Sequence, residues 1–210
     1  MSNSIILFPY VIHQFDIPDF DADAIAEYCY GEQRIDPEGK QKSNRGGWQS
    51  QDHYCRFDNI LSRTLMRGLN KWFEEDIFNK GTQVEVGAMW ININGRDCYN
   101  IKHNHPNSDL SGVFWVKGSG PDVGSLVFDD DNGYSRFKEG VCYSDNFKTS
   151  NNLWDQFTFE PTIGQCLIFP SCQDHNVEFN LTDEERISIS FNIDLDIDLN
   201  SATIGKSINK

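Results

Sequence analysis

Gln165-Cys166-Leu167-Ile168-Phe169-Pro170-Ser171, then His175, then Arg186-Ile187-Ser188-Ile189-Ser190-Phe191-Asn192 form the stretch from which the rest of the chain is best read. The first part is an apolar run that stops at a proline and a small residue just before a histidine. That is how a buried strand delivers a side chain to the mouth of a barrel. The last part alternates strictly. Arg186, Ser188, Ser190 and Asn192 share one face, and Ile187, Ile189, Phe191 and Ile193 share the other, because strand side chains repeat every two residues. The same alternation describes a polar face in solvent and a polar face lining a barrel interior. In the second case Arg186 and Ser188 suit a carboxylate, which the planar guanidinium fork binds through two hydrogen bonds. A hairpin centred near Thr182–Asp183 would set Arg186 across from Phe179 and put His175, Arg186 and Ser188 on one face.

Working outward, the β character begins near Thr82. Val84–Asn94, Leu110–Lys117, Ser125–Phe128, Gln156–Glu160, Gln165–Phe169, Asn176–Phe179 and Arg186–Ile193 are short, aliphatic and aromatic, and separated by Gly, Pro, Asn and Asp. Upstream, Asp21 to Tyr30 reads as a short helix with acidic residues in its first turn. Asp58 reads as an N-cap for an amphipathic helix carrying Leu61, Leu65, Leu69, Trp72 and Phe73, extending to about Phe78. Residues 5–15 are apolar and β-prone, 31–52 form a long polar, glycine-rich loop, and Asn200–Lys210 form a loose tail. Many short strands after a helical start predict a mainly β protein, a β-sandwich or jelly roll with N-terminal bracing helices. Residues 1–199 make one domain on this reading and 200–210 its tail.

The chain has 210 residues, with 15 Phe, 7 Tyr and 5 Trp, enough apolar surface for a sizeable core. Its net charge of −14, from 32 acidic against 18 basic residues, argues against nucleic acid as partner and for solubility. Neither a signal peptide nor an apolar run of membrane-spanning length is present, so no membrane partner is expected. Cys29, Cys55, Cys98, Cys142, Cys166 and Cys172 lack CxxC pairing and read as reduced thiols of a cytoplasmic protein, Cys166 and Cys172 as packing residues. A homodimer is left open.

His103 and His105 lie two apart, so in an extended segment both rings reach one face and can share an ion. A lone histidine is usually structural; a same-face pair raises the odds of a metal site, and His175 supplies a third imidazole. Asp109 is a rival donor, or simply a solvated loop residue. Asp194, Asp196 and Asp198 alternate as a charged edge strand does, which deters pairing more often than it holds calcium. His13 and His53 show no partner. Trp48 is either a lid over the site or a buried anchor for its loop.

Gly47-Trp48-Gln49-Ser50, His103-Asn104-His105-Pro106-Asn107-Ser108, Leu110-Ser111-Gly112, Phe169-Pro170-Ser171 and Arg186 to Asn192 occur in an order that resembles the 2-oxoglutarate/Fe(II) oxygenases. The likeness is to a branch found in bacteria and their viruses, and it spans roughly residues 5–193. It implies a double-stranded β-helix (jelly roll) that uses Fe(II), 2-oxoglutarate and O₂, releasing succinate and CO₂ with an oxidised, usually hydroxylated, product. Carried onto this chain, it implies His103 and His175 as metal ligands and Arg186 on the distal carboxylate of 2-oxoglutarate, helped by Ser188. Ser111 would touch the same carboxylate, and Asn92 would be a further cosubstrate contact. One departure stands out. The usual triad is two histidines and a carboxylate, and His105 occupies the carboxylate's place, which leaves the site one positive charge richer.

Two other classes fit parts of the pattern. A cupin-like three-histidine metalloenzyme that does not use 2-oxoglutarate would not need Arg186 and Ser188 as a clamp. A non-catalytic jelly roll for binding would not bind iron. The substrate, small molecule or macromolecule, is not legible.

Overall fold

The computed structural model describes residues 10–55, 58–75, 77–79, 81–130 and 140–197. The segment Ile5–Phe8, the tail Asn200–Lys210 and Asp198 lie outside them. Twelve strands among the described residues run β1 (His13–Asp16), β2 (Asn44–Arg45), β3 (Trp48–Gln49), β4 (His53–Tyr54), β5 (Thr82–Asn94), β6 (Tyr99–His103), β7 (Leu110–Lys117), β8 (Leu126–Asp129), β9 (Gln156–Phe159), β10 (Gln165–Pro170), β11 (His175–Val177) and β12 (Arg186–Ile197). Helices α1 (Ala22–Ile35) and α2 (Ile60–Phe73) precede the long strands, and α3 (Asp145–Asn151) lies between β8 and β9.

The helices begin where their caps permit. Asp21 caps α1 by accepting from the Ala24 N–H. In α2 the cap is Asn59, one residue past the expected Asp58. Asn59 and Ser62 form a reciprocal capping box, while Asp58 pairs with Arg63 instead. Helix α1 continues five residues past the predicted end, and α2 stops five before it.

The larger sheet has the order β1-β10-β7-β12-β5-β3, with β4 also on β5; the smaller has the order β2-β6-β11-β8-β9. The ladders between these strands are antiparallel. From β5 to β8, and again from β10 to β12, successive strands fall in alternate sheets, which is the winding of a double-stranded β-helix. This corrects the hairpin expected at Thr182–Asp183. β11 pairs with β6 and β8, β12 pairs with β5 and β7, and the chain between them crosses from one sheet to the other. Asn180 holds that crossing, its side-chain N–H₂ donating to the carbonyls of Asn94 and Glu184. His175, Arg186 and Ser188 nevertheless meet, because the two sheets face each other.

The alternation of β12 is resolved by where the helices lie. Ile187, Ile189, Phe191 and Ile193 pack with Met89, Ile91 and Ile93 of β5 against Ile25, Leu61, Leu65, Leu69 and Trp72 of α1 and α2. The apolar face of the larger sheet is therefore its outer face, under the helices. Its polar face looks inward, toward the smaller sheet. There, Trp115, Leu126, Phe128, Leu167 and Phe169 form a second apolar cluster beside the polar zone.

The 31–52 region is more ordered than a loop. It contains β2 and β3, and Trp48 is buried, paired with Ile93 and donating its indole N–H to the Asp36 carbonyl. Trp48 is thus an anchor and not a lid. All six cysteines are free, and Cys172 is exposed where packing was expected. His13 meets the edge of Trp72, and His53 sits beside Tyr28 and Glu32. No helix among the described residues is long and apolar enough to cross a membrane.

Candidate active site

β6 ends at His103 and β11 begins at His175, and the two residues are direct partners in the β6–β11 ladder. Residues opposed in an antiparallel pair project from the same face, so the rings stand side by side, 4.4 Å between centroids. His105 arrives differently. The strand ends two residues earlier, and the loop is held by the His105 N–H donating to the Ser171 carbonyl at 2.9 Å. Its ring lies 5.1 Å from that of His103, 5.3 Å from that of His175 and 5.6 Å from that of Trp90. The three rings each offer a nitrogen, and these lie within 4.8 Å of one another.

The protonation of the rings follows from their partners. Nδ1 of His103 faces the Ile101 carbonyl at 2.8 Å, and Nδ1 of His175 faces that of Gln173 at 2.9 Å. A carbonyl can only accept, so Nδ1 carries the proton and Nε2 keeps its lone pair, the tautomer that metal-binding histidines use. Burial lowers the pKa of all three. His105 falls to about 4 through burial and the neighbouring His103, and His175 to about 3 through burial and then His103. At neutral pH the cluster is three uncharged donors, the form that binds a cation.

Asp109 is not part of the cluster. Its carboxylate accepts the Leu195 N–H at 2.7 Å, capping β12 just beyond Ile193, where the β7 ladder ends. Asp194 and Asp196 remain on β12, paired with β5 on one side only, as expected of a partly open edge.

The pocket beside the histidines is lined by Trp90, Asn92, Ser111, Ser188 and Ser190, and also by Ser43, Asn100 and Arg186. Arg186 is 2 % exposed, and its Nη1 donates to the carbonyls of Val123 at 2.5 Å and Gly124 at 2.8 Å. Burial lowers its pKa to about 10, which leaves it cationic at neutral pH. No carboxylate pairs with it among the described residues. A buried cation with only neutral partners is costly, and the cost falls when an anion enters. Asn92 lies opposite Ser188, donates to Ser190 Oγ at 3.1 Å, and has its buried Oδ1 without a partner. A donor entering the pocket could satisfy it.

Ser111 does not reach the place the resemblance implies. It is the β12 partner of Asn192, six residues from Arg186, or about 20 Å along a strand. Its hydroxyl bonds Ser171 Oγ at 2.8 Å and Asn192 Oδ1 at 3.0 Å. It lines the histidine end of the pocket and cannot share a carboxylate with Arg186. Trp90, Asn94, Asn100 and Ser43 were missed by sequence reasoning. Trp90, Asn92 and Asn94 alternate with Ile91 and Ile93 as the polar face of β12 does, and that signal could have found the first and third.

A family model described as 2OG-Fe(II) oxygenase matches residues 88–192, half of the 210-residue chain. The chain belongs to the 2OG-Fe(II) oxygenase family. It is an enzyme, a 2-oxoglutarate-dependent dioxygenase, and its family uses Fe(II), 2-oxoglutarate and O₂. A prolyl-4-hydroxylase from Pseudomonas putida is similar in structure, with TM-score 0.58 at 16% identity, covering 87% of this chain and 92% of that one. HygX from Streptomyces hygroscopicus, solved with nickel and 2-oxoglutarate bound, gives TM-score 0.58 at 11% identity over 87% and 82%. The α-ketoglutarate-dependent epimerase SnoN from nogalamycin biosynthesis gives 0.57 at 14% identity over 88% and 77%. At these identities the likeness is one of fold. No curated protein matches the sequence.

The donor set fits the metal. Three neutral imidazoles, two of them with Nδ1 anchored on a main-chain carbonyl, suit Fe(II), though the absent carboxylate leaves the bound ion's charge less neutralised than in the two-histidine, one-carboxylate pattern.

Proposed function

We propose that this oxygenase holds Fe(II) on His103, His105 and His175, binds the distal carboxylate of 2-oxoglutarate with Arg186 and Ser188, and hydroxylates its substrate. The observation that carries the reading is one pocket with a cluster of neutral imidazoles and a buried guanidinium free of any acidic partner among the described residues. When bound, iron and 2-oxoglutarate together supply O₂ activation, with succinate and CO₂ as products. The protein's own part is placement. The carbonyls of Ile101 and Gln173 fix two ring tautomers, and the Ser171 carbonyl holds the His105 loop. Ser188 stands beside Arg186 on the inward face of β12. Asn92 lines the same pocket, and turning its amide would present Nδ2 to a cosubstrate bound there.

Titration of 2-oxoglutarate into the nickel-loaded protein tests the clamp. Arg186→Ala should keep the metal and lose roughly two to three and a half decades of 2-oxoglutarate affinity, since stranding one partner of a buried ion pair costs about 3–5 kcal/mol. Unchanged affinity would remove Arg186 from the role. Succinate release from the iron-loaded protein tests the activity itself.

A further inference from the structure

Asn94 ends β5 as the ladder partner of Arg186. Its amide orientation is set by its neighbours. With the oxygen toward the guanidinium it accepts from Arg186 Nη2 at 2.6 Å, and its nitrogen donates to the Ile93 carbonyl at 3.2 Å. The opposite orientation would set donor against donor at that short distance. The Asn100 amide, 3.2 Å away, turns to match, because its other neighbour, Ser43 Oγ at 3.1 Å, can donate or accept.

The partners of the guanidinium are thus main-chain carbonyls and one neutral amide. A neutral acceptor fixes the direction of the fork while leaving its charge for a ligand. A carboxylate at this position would take that charge for itself. The Gly47 backbone closes over Asn94. A Cβ on Gly47 would stand 2.0 Å from the end of the Asn94 amide and 2.9 Å from its Cγ. The strap carrying Gly47 is held by Asn44, whose side-chain nitrogen donates to the Gly47 carbonyl at 2.9 Å, and by Trp48 in β3.

We propose that Asn94 is the positioning residue of Arg186, aiming the guanidinium at the distal carboxylate of the cosubstrate, and that the strap at Gly47 keeps Asn94 in place. This rests on Arg186 being the clamp. It gives the Gly47-Trp48 segment a task at the cosubstrate end of the pocket.

The test is calorimetry on the full, nickel-loaded chain with two ligands. One is 2-oxoglutarate; the other is oxalate, which can bind the metal but has no distal carboxylate. Asn94→Ala should weaken 2-oxoglutarate roughly tenfold or more, the loss expected for one hydrogen bond to a charged group, and leave oxalate unchanged. Adding Asn94→Ala to Arg186→Ala should cost nothing further, since the two act as one unit. Asn94→Asp keeps the shape of the site and covers the case in which the alanine variant does not fold. It should weaken 2-oxoglutarate more than alanine does, by pairing with Arg186 and repelling the incoming carboxylate. Wild-type 2-oxoglutarate affinity in a folded Asn94→Asp protein, with Arg186→Ala impaired, would overturn the proposal while sparing the clamp. Equal losses for 2-oxoglutarate and oxalate would overturn it too, reducing Asn94 to a structural part. Should Arg186→Ala itself leave 2-oxoglutarate binding intact, the clamp reading fails and this inference falls with it.

Discussion

His105 departs most clearly from the familiar metal triad. It lies in the loop after β6, tied to Ser171 and flanked by Trp90, and its ring completes a cluster that His103 and His175 build as direct strand partners. If the ring is a ligand, a carboxylate in the same place should also serve, because oxygen donors suit Fe(II) alongside two histidines. His105→Asp is therefore expected to keep iron and some succinate formation, whereas His105→Ala loses much of both. Asp109→Ala should leave iron content unchanged, because its carboxylate caps Leu195 and stands outside the cluster. Iron content and succinate release measured side by side check the ranking. Severe loss in Asp109→Ala with a near-normal His105→Ala would replace His105 by Asp109.

At the scale of elements, β7 and β12 show why a short motif can be structural and functional at once. Gly112 is the ladder partner of Phe191, and a Cβ there would stand 2.2 Å from the Phe191 ring and 2.9 Å from the Leu167 carbonyl. Gly112→Ala should destabilise the protein by about 1–3 kcal/mol, the usual cost of overpacking, and Phe191→Leu should recover part of it. Denaturant unfolding of both variants decides this, and an undisturbed Gly112→Ala would show that the ring has room to move. The same strands mark what a sequence can disclose. The β7 boundaries, the start of β12 and its two faces were legible, because period-two alternation is local. Which face looks to solvent was not, because that depends on helices more than a hundred residues upstream. The crossing between β11 and β12 was misread because a short polar connection looks alike whether its strands pair or change sheets. Within the site, histidine spacing exposed the cluster. Asn94 and Asn100 stayed hidden because a buried asparagine is defined by partners such as Ser43 and Arg186, distant in sequence.

At the scale of the molecule, α1 and α2 brace only the outer face of the larger sheet, while the strands bearing His103 and His175 belong to the smaller one. Arg186 belongs to the larger sheet. A metal on the histidines therefore sits mainly on the smaller sheet, and 2-oxoglutarate reaching from that metal to Arg186 would tie the two sheets together. Both ligands should then stabilise the fold, but through separable routes. At a hundred times its Kd a ligand adds about 2.7 kcal/mol, and in a protein of this size each kcal/mol moves Tm by about 2–4 °C. Nickel followed by 2-oxoglutarate should thus give two successive rises, each of roughly 5–10 °C. Arg186→Ala should retain the first rise and lose most of the second at the same ligand concentration, because only the second requires the larger sheet. His175→Ala should lose both, since without the metal the cosubstrate has one anchor instead of two. Thermal melts of the three proteins with each addition read this directly. A full second rise in Arg186→Ala would mean that 2-oxoglutarate binds within the smaller sheet alone and does not bridge the sheets.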